Sequence, residues 1–206
     1  NLGIESNLIM CFLRDMSAES AMAHLEMCLP FKDWIIGVGL DSDEKDNPPI
    51  KFTEVFARAR NEGFKLTMHC DVNQTDIVDH IWQCLDDIQV DRIDHGINAL
   101  EDERLCAEIA KRGLGLTVCP VSNRFVVQSL TTKEIKSMLQ KGMKATINSD
   151  DPGYFRAYLT DNFLALIEEA EFSQDEIRQL NANAFETSWL SAARKKYYLE
   201  QVNNFS

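Results

Sequence analysis

The stretch Met143-Lys144-Ala145-Thr146-Ile147-Asn148-Ser149-Asp150-Asp151-Pro152 is a β-prone run that stops in two adjacent carboxylates and a proline. Proline donates nothing to a strand ladder and pushes the residue before it away from helical backbone. The reading is a strand that ends here, with Asp150 and Asp151 held at its C-terminal mouth. Neighbouring residues on extended backbone point to opposite sides, so the two carboxylates are expected to do different jobs. Asp is also a poor strand former, which favours a site over a fold device. The plainer alternative is a surface turn, since Ser149, Asp150, Pro152 and Gly153 are all turn residues.

Outward from this stretch, short apolar or β-branched runs alternate with helical patterns. Strands are expected at Asn7–Phe12, Trp34–Leu40, Lys65–His69, Arg92–His95, Leu116–Cys119 and Lys144–Asn148. Helices are expected near Ser17–Cys28, Phe52–Glu62, Ile77–Asp87, Glu101–Arg112 and Thr132–Gln140, then Arg156–Glu169, Ser173–Ala182 and Ala184–Val202. Ser173 and Glu176 form a capping box, and Thr132 with Glu134 opens another helix. Gly63, Gly113 and Gly142 stand just past helices, where a left-handed cap is expected. Repeated βα units imply a parallel sheet with helices outside. An open doubly wound sheet and a closed (β/α)₈ barrel both satisfy that pattern. Gly37-Val38-Gly39 lacks the third glycine of a dinucleotide fingerprint. Polar residues instead close nearly every strand: Asp41-Ser42-Asp43-Glu44, His69-Cys70-Asp71, Asp94-His95-Gly96, Cys119-Pro120-Val121-Ser122-Asn123 and Ser149-Asp150-Asp151. A barrel gathers all strand ends at one mouth, where its chemistry is done. The expected fold class is therefore α/β, a (β/α)₈ TIM-type barrel, with C-terminal helices. Six strand candidates fall short of the eight that the barrel needs, so the barrel is expected to be incomplete.

The 206 residues are enough for one well-buried domain. A formal charge of −12 argues against nucleic acid or an anionic membrane as partner, since both need a cationic footprint. A small purine is not excluded by charge. The six cysteines carry no CxxC pair and read as reduced, mostly buried thiols of a cytoplasmic protein. No apolar run approaches the length of a membrane span. The start, Asn1-Leu2-Gly3-Ile4-Glu5-Ser6, has neither an initiator Met nor a signal-peptide pattern, and reads as the middle of a longer protein.

Of four histidines, His69 and His95 stand at strand ends, whereas His24 and His80 fall in helical patterns with an ordinary surface or packing role. His69, His95 and Asp150 are candidates to converge at one mouth. Imidazole and carboxylate together suit borderline divalent metals, which make hydroxide available from bound water at neutral pH. Core histidines beside helix-capping carboxylates are the alternative.

Four motifs occur in order: Gly37-Val38-Gly39-Leu40-Asp41-Ser42-Asp43-Glu44, Arg92-Ile93-Asp94-His95-Gly96, Leu116-Thr117-Val118-Cys119-Pro120-Val121-Ser122-Asn123 and Asn148-Ser149-Asp150-Asp151-Pro152. Together they resemble the adenosine/adenine deaminase family of the amidohydrolase barrels, over essentially the whole chain, as the C-terminal two-thirds or so of such an enzyme. The resemblance implies a zinc-dependent purine deaminase that converts adenosine or adenine to inosine or hypoxanthine plus ammonia. It implies that His69 is the third zinc-ligating histidine and Asp150 the carboxylate ligand. His95 resembles the histidine that orients the attacking hydroxide and helps move its proton. Asp151 resembles the carboxylate that hydrogen-bonds the purine imidazole nitrogen. Ser42 stands where the adenosine branch usually has a glycine whose backbone N–H contacts the purine; Leu40-Asp41-Ser42-Asp43-Glu44 looks closer to the adenine branch.

Two features depart from the family. Its first two zinc ligands form a His-x-His pair, which this sequence does not contain. The expectation is a chain without the N-terminal strands of the barrel, with zinc weak or absent in this piece and a complementary N-terminal segment or a second copy as partner. The family also reads His-Ala-Gly-Glu where this chain has His69-Cys70-Asp71-Val72. Valine carries no proton, so Asp71 is the expected substitute for the proton-donating glutamate. Hydrolysis of another substrate on the same barrel, and a catalytically silent relative used for binding, are the competing readings.

Overall fold

The computed structural model describes residues 4, 6–70 and 75–204. The described residues divide into two compact units, one up to residue 91 and one from residue 92 on.

The first unit holds β1 (Leu8–Leu13), β2 (Ile35–Asp41) and β3 (Lys65–Cys70), joined by α1 (Ala18–Cys28) and α2 (Thr53–Asn61) and followed by α3 (Ile77–Gln83). Its strands pair in parallel and in chain order, Leu8 opposite Ile35 and Gly37 opposite Lys65. Phe12, Val38, Leu40, Leu66 and Met68 are buried, together with Ala21, Leu25, Val55, Phe56, Ile77 and Ile81 of the helices. The Phe12 and Phe56 rings meet edge to face at 5.6 Å. Ser17 caps α1 by accepting the Ser20 N–H. A π-turn, Cys84–Ile88, continues α3 and brings Cys84 Sγ to 3.7 Å from Cys70 Sγ.

The second unit holds β4 (Arg92–His95), β5 (Gly115–Val118) and β6 (Lys144–Ile147), again parallel and in chain order. Between them run α4 (Glu103–Arg112), α5 (Pro120–Val127) and α6 (Thr132–Gln140). The chain continues through α7 (Pro152–Phe155), α8 (Leu159–Ala170), α9 (Gln174–Thr187) and α10 (Ala192–Asn204). Ile93, Leu116, Val118, Ala145 and Ile147 of the strands are buried with Leu105, Ile109, Ile135, Met138, Leu166 and Leu180 of the helices. Asn183 ties α9 to β6 by donating from Nδ2 to the Ala145 carbonyl at 2.9 Å. The capping box at α9 forms as expected, Ser173 Oγ accepting from Glu176 N and Glu176 Oε2 from Ser173 N.

The six expected strands form within a residue or two of their expected bounds, and neither unit reverses the strand order as a doubly wound sheet would. Gly63, Gly113 and Gly142 have φ of 89°, 65° and 73°, the left-handed caps expected of them. Three readings change. Cys119–Asn123, taken as a polar strand end, runs from Pro120 into a helix, Pro120–Val127, with proline at its first turn, where the missing N–H costs nothing. The last two helices break at residues 188–191 and not at Asn183. Thr131, not Thr132, occupies the N-cap of α6, and its side chain makes no cap bond. All six cysteines are free thiols, Cys11 exposed and the others buried. Among the described residues no helix is long and apolar enough to cross a membrane.

Candidate active site

In the first unit, β2 and β3 carry the candidate residues on their last positions and just beyond. Ser42 follows β2 with φ 82°, and its N–H donates to Asp41 Oδ1 at 2.8 Å. That backbone is one glycine adopts without strain. Two residues on, Glu44 turns inward and is buried. Its Oε1 lies 2.8 Å from His69 Nδ1. His69 is the penultimate residue of β3, its side chain 26% exposed against 2% for Glu44.

Arg14, one residue past β1, is wholly buried and closes this cluster. Its Nη1 donates to the His69 carbonyl at 2.9 Å and lies 3.6 Å from Glu44 Oε1. Its Nε and Nη2 donate to the Asn47 carbonyl at 3.1 and 3.0 Å. The Arg14 carbonyl in turn accepts from Lys51 Nζ at 3.1 Å. One guanidinium thus binds the loop after β2 and the end of β3 at once. His80 of α3 is buried nearby in charge terms: burial first, then the Arg14 guanidinium, hold its pKa below the usual histidine value. The Cys70 thiol is pushed well up, by its hydrogen bond to Cys84 and by burial. Asp71, the expected proton donor, lies outside the described residues.

In the second unit the site is built from the ends of β4, β5 and β6. His95, the last residue of β4, is buried and has φ 59°, with Gly96 at 75° behind it. Asp150 has φ 56°. Non-glycine residues in left-handed backbone cost about 1–2 kcal/mol each, and such residues gather at functional sites. The turn brings Asp150 Oδ2 to 3.9 Å from His95 Nε2. With Cys119, the first residue after β5, these two offer ligand atoms that all lie within 4.8 Å of one another. Asp151 is exposed and occupies the N-cap position of α7, its carbonyl accepting from Tyr154 N and Phe155 N. Asp150 thus sits on a left-handed turn three residues after β6 ends, not on the extended backbone that the sequence suggested. Behind the mouth, Asp94 Oδ1 accepts from Thr117 Oγ1 at 2.8 Å and from Arg92 Nε at 3.0 Å, and Arg92 stacks over Trp189 at 4.5 Å.

The structure thus brings His95 and Asp150 together in one unit and gives His69 a buried carboxylate in the other. Sequence reasoning missed Glu44, Arg14 and Cys119. Glu44 was in view, as the last residue of the Leu40–Glu44 motif, but that motif was read for Ser42. Arg14 directly follows a strand end, and carries no local mark beyond that.

Known proteins place these observations. A family model described as adenosine deaminase matches residues 1–205. An uncharacterised deaminase of Schizosaccharomyces pombe is 48% identical over 204 residues, 98% of this chain and 60% of its own length. The adenine deaminase of Rhodospirillum rubrum is 47% identical over 196 residues, 94% of this chain and 58% of its own. Among solved structures, the adenine deaminase of Arthrobacter aurescens is 39% identical with a TM-score of 0.91, covering 98% of this chain and 62% of that one. A Burkholderia ambifaria amidohydrolase solved with bound Zn is 24% identical with a TM-score of 0.87, over 98% of this chain and 57% of that one. The chain spans about 60% of the length of the curated relatives it matches. Its fold is the corresponding part of the (β/α)₈ barrel of its adenine deaminase neighbour. With its sequence matched almost end to end, the chain belongs to the adenosine deaminase family.

Proposed function

We propose that the complete protein is a metal-dependent purine deaminase that removes the 6-amino group of adenine or adenosine as ammonia and leaves hypoxanthine or inosine. The observation that carries this reading is His95 and Asp150, 3.9 Å apart on strained strand ends, in a chain 47% identical to an adenine deaminase. Adenine is the favoured substrate for the same reason. Residues 1–206 are read as one barrel domain without the family's N-terminal strands, in keeping with the share of the relatives that they span.

The donors suit zinc. His69 offers an imidazole whose Nδ1 is engaged by Glu44, and Asp150 offers a carboxylate; a catalytic zinc site takes at least three protein ligands and keeps one position open, so these two fall short and the family's His-x-His pair would supply the rest. A bound divalent metal supplies the Lewis acidity that makes water a nucleophile at pH 7. The chain's own residues do the rest. His95 takes up and passes on a proton at Nε2, which faces Asp150. Asp151 hydrogen-bonds the imidazole nitrogen of the purine and so fixes the ring against the attacking water. The backbone at Ser42 contacts the ring once its N–H leaves Asp41 Oδ1. Asp71 donates the proton that a purine ring nitrogen needs as the amino carbon is attacked, a step worth roughly 10²–10⁴-fold.

Ammonia release by the complete protein, measured over adenine, adenosine and N6-substituted purines, tests the reading. Adenine should be the best substrate, Asp150→Ala should abolish turnover, and Asp71→Asn should keep the metal yet lose at least ~100-fold. No ammonia from any purine with metal bound would sink it in favour of another substrate or a silent binding role.

A further inference from the structure

We propose that Glu44 is the positioning residue of the metal site, and that Arg14 is the clamp that holds it there. Glu44 accepts the Nδ1–H of His69 and thereby sets the tautomer and ring orientation in which Nε2 is the ligating atom. The proposal rests on the reading of His69 as a metal ligand.

Three observations carry it. The first is the 2.8 Å separation of Glu44 Oε1 and His69 Nδ1, a distance typical of a charge-assisted N–H···O bond. A neutral imidazole has one N–H and one lone pair. With the carboxylate accepting at Nδ1, the proton sits there, and the lone pair is on Nε2 at the far side of the ring. Ligating histidines are commonly held in this way by a carboxylate on their other nitrogen. The second is the asymmetry of burial. Glu44 is 2% exposed and His69 26%, so the carboxylate lies on the protein side of the ring.

The third is Arg14. A buried carboxylate is costly without a partner, and Arg14, itself fully buried, brings a positive charge 3.6 Å from Glu44 Oε1. The same guanidinium donates to the His69 backbone carbonyl at 2.9 Å and twice to the Asn47 carbonyl. It therefore holds both ends of the Glu44–His69 bond, the backbone that carries the ring and the loop that carries the carboxylate. A buried ion pair is seldom a net gain for stability over apolar packing, so fold stability alone gives little reason for a carboxylate on this ring nitrogen. Ring orientation gives one.

Two measurements on the complete protein test this. In the metal-free protein with ¹⁵N-labelled histidine, at about pH 8 and so above the ordinary histidine range, the His69 proton should be on Nδ1, with Nε2 showing the signature of an unprotonated nitrogen. A proton on Nε2 overturns the proposal, and this measurement needs no variant that folds poorly. Zinc affinity is the second readout, taken by competition with a chelator. Glu44→Ala should weaken it about 10–100-fold, and Glu44→Gln, whose amide oxygen accepts the same bond, should restore most of the loss. Zinc held by Glu44→Ala as tightly as by the unchanged protein, while His69→Ala loses it, overturns the role of Glu44 and leaves His69 a ligand. Zinc held unchanged by His69→Ala overturns the underlying reading instead.

Discussion

The two units repeat one plan, three parallel strands with helices behind, and end their strands by different means. In the first, the candidate ligand His69 is fixed by side chains: a carboxylate on its ring and a fully buried arginine on its carbonyl. In the second, the candidate residues are fixed by backbone. His95 and Asp150 both sit in left-handed conformation, and the charged pair on the same strand end, Arg92 with Asp94, is about one-fifth exposed on each side. One end therefore depends on charges that have left water, the other on turns that side chains resist. The same barrel step can place a reactive group either way, and the two ways should fail differently.

The largest expected effect follows from charge. Arg14→Leu leaves Glu44 buried without its cation and removes donors to the Asn47 and His69 carbonyls, so it should destabilise the complete protein by about 3–5 kcal/mol. Arg92→Leu should cost far less, because a partly exposed ion pair contributes roughly 0–1 kcal/mol and the stack on Trp189 about as much again. Denaturant titration of the two variants decides it. Equal losses would break the contrast between a charge-held and a backbone-held end.

A smaller difference tests the backbone half. A methyl on Gly96 would meet Leu116 Cδ2 at 2.8 Å and Ile93 Cγ2 at 2.9 Å, at φ 75°. A methyl on Gly39, in β2, would meet Cys11 Sγ at 2.8 Å and Thr67 Cγ2 at 3.0 Å, with no left-handed backbone. Both carry an overpacking cost of about 1–3 kcal/mol; Gly96→Ala alone adds the roughly 1–2 kcal/mol of left-handed backbone. Thermal melts should rank Gly96→Ala below Gly39→Ala in stability. The opposite order would show that the turn behind His95 relaxes freely.

Much of this was legible in the sequence, and the rest was not for reasons of range. Runs such as Leu116–Val118 announce strands because alternate residues must be buried, and Gly113 marks where an element stops. Pro120–Val127 hid as a helix because its eight residues give too few turns for a period to show. The break between α9 and α10 falls in Ser188-Trp189-Leu190-Ser191, with no glycine or proline to announce it. His69, His95 and Asp150 could be singled out because they close strands. The left-handed backbones of His95 and Asp150 could not, since nothing local forces a His or an Asp there. The Glu44–His69 bond spans 25 residues and the Arg14–His69 bond 55. Such pairs exist only after the strands align, so no window along the chain contains them.

The smallest effect concerns His80, which reads the Arg14 charge without being part of the proposed chemistry. It is buried in α3, and among the described residues its Nδ1 has no hydrogen-bond partner. Burial and then Arg14 lower its pKa, while Glu44, Asp79 and Asp76 pull the other way. Above about pH 6.5, the ordinary histidine value, the ring is neutral folded or unfolded and adds no pH dependence. Below it, the unfolded chain takes up a proton that the folded one resists. The unfolded state then binds more protons, so stability falls as pH falls, until the folded pKa is passed. The slope from one such group is at most about 1.4 kcal/mol per pH unit. His80→Phe should therefore flatten the loss of stability between about pH 6.5 and 5.5, as read from denaturant midpoints. In an Arg14→Leu background, the share of this acid sensitivity due to the guanidinium should vanish and the share due to burial should remain. If His80→Phe leaves the pH slope unchanged in both backgrounds, the buried positive charge of the first unit does not reach α3, and the charge-held end is confined to Arg14, Glu44 and His69.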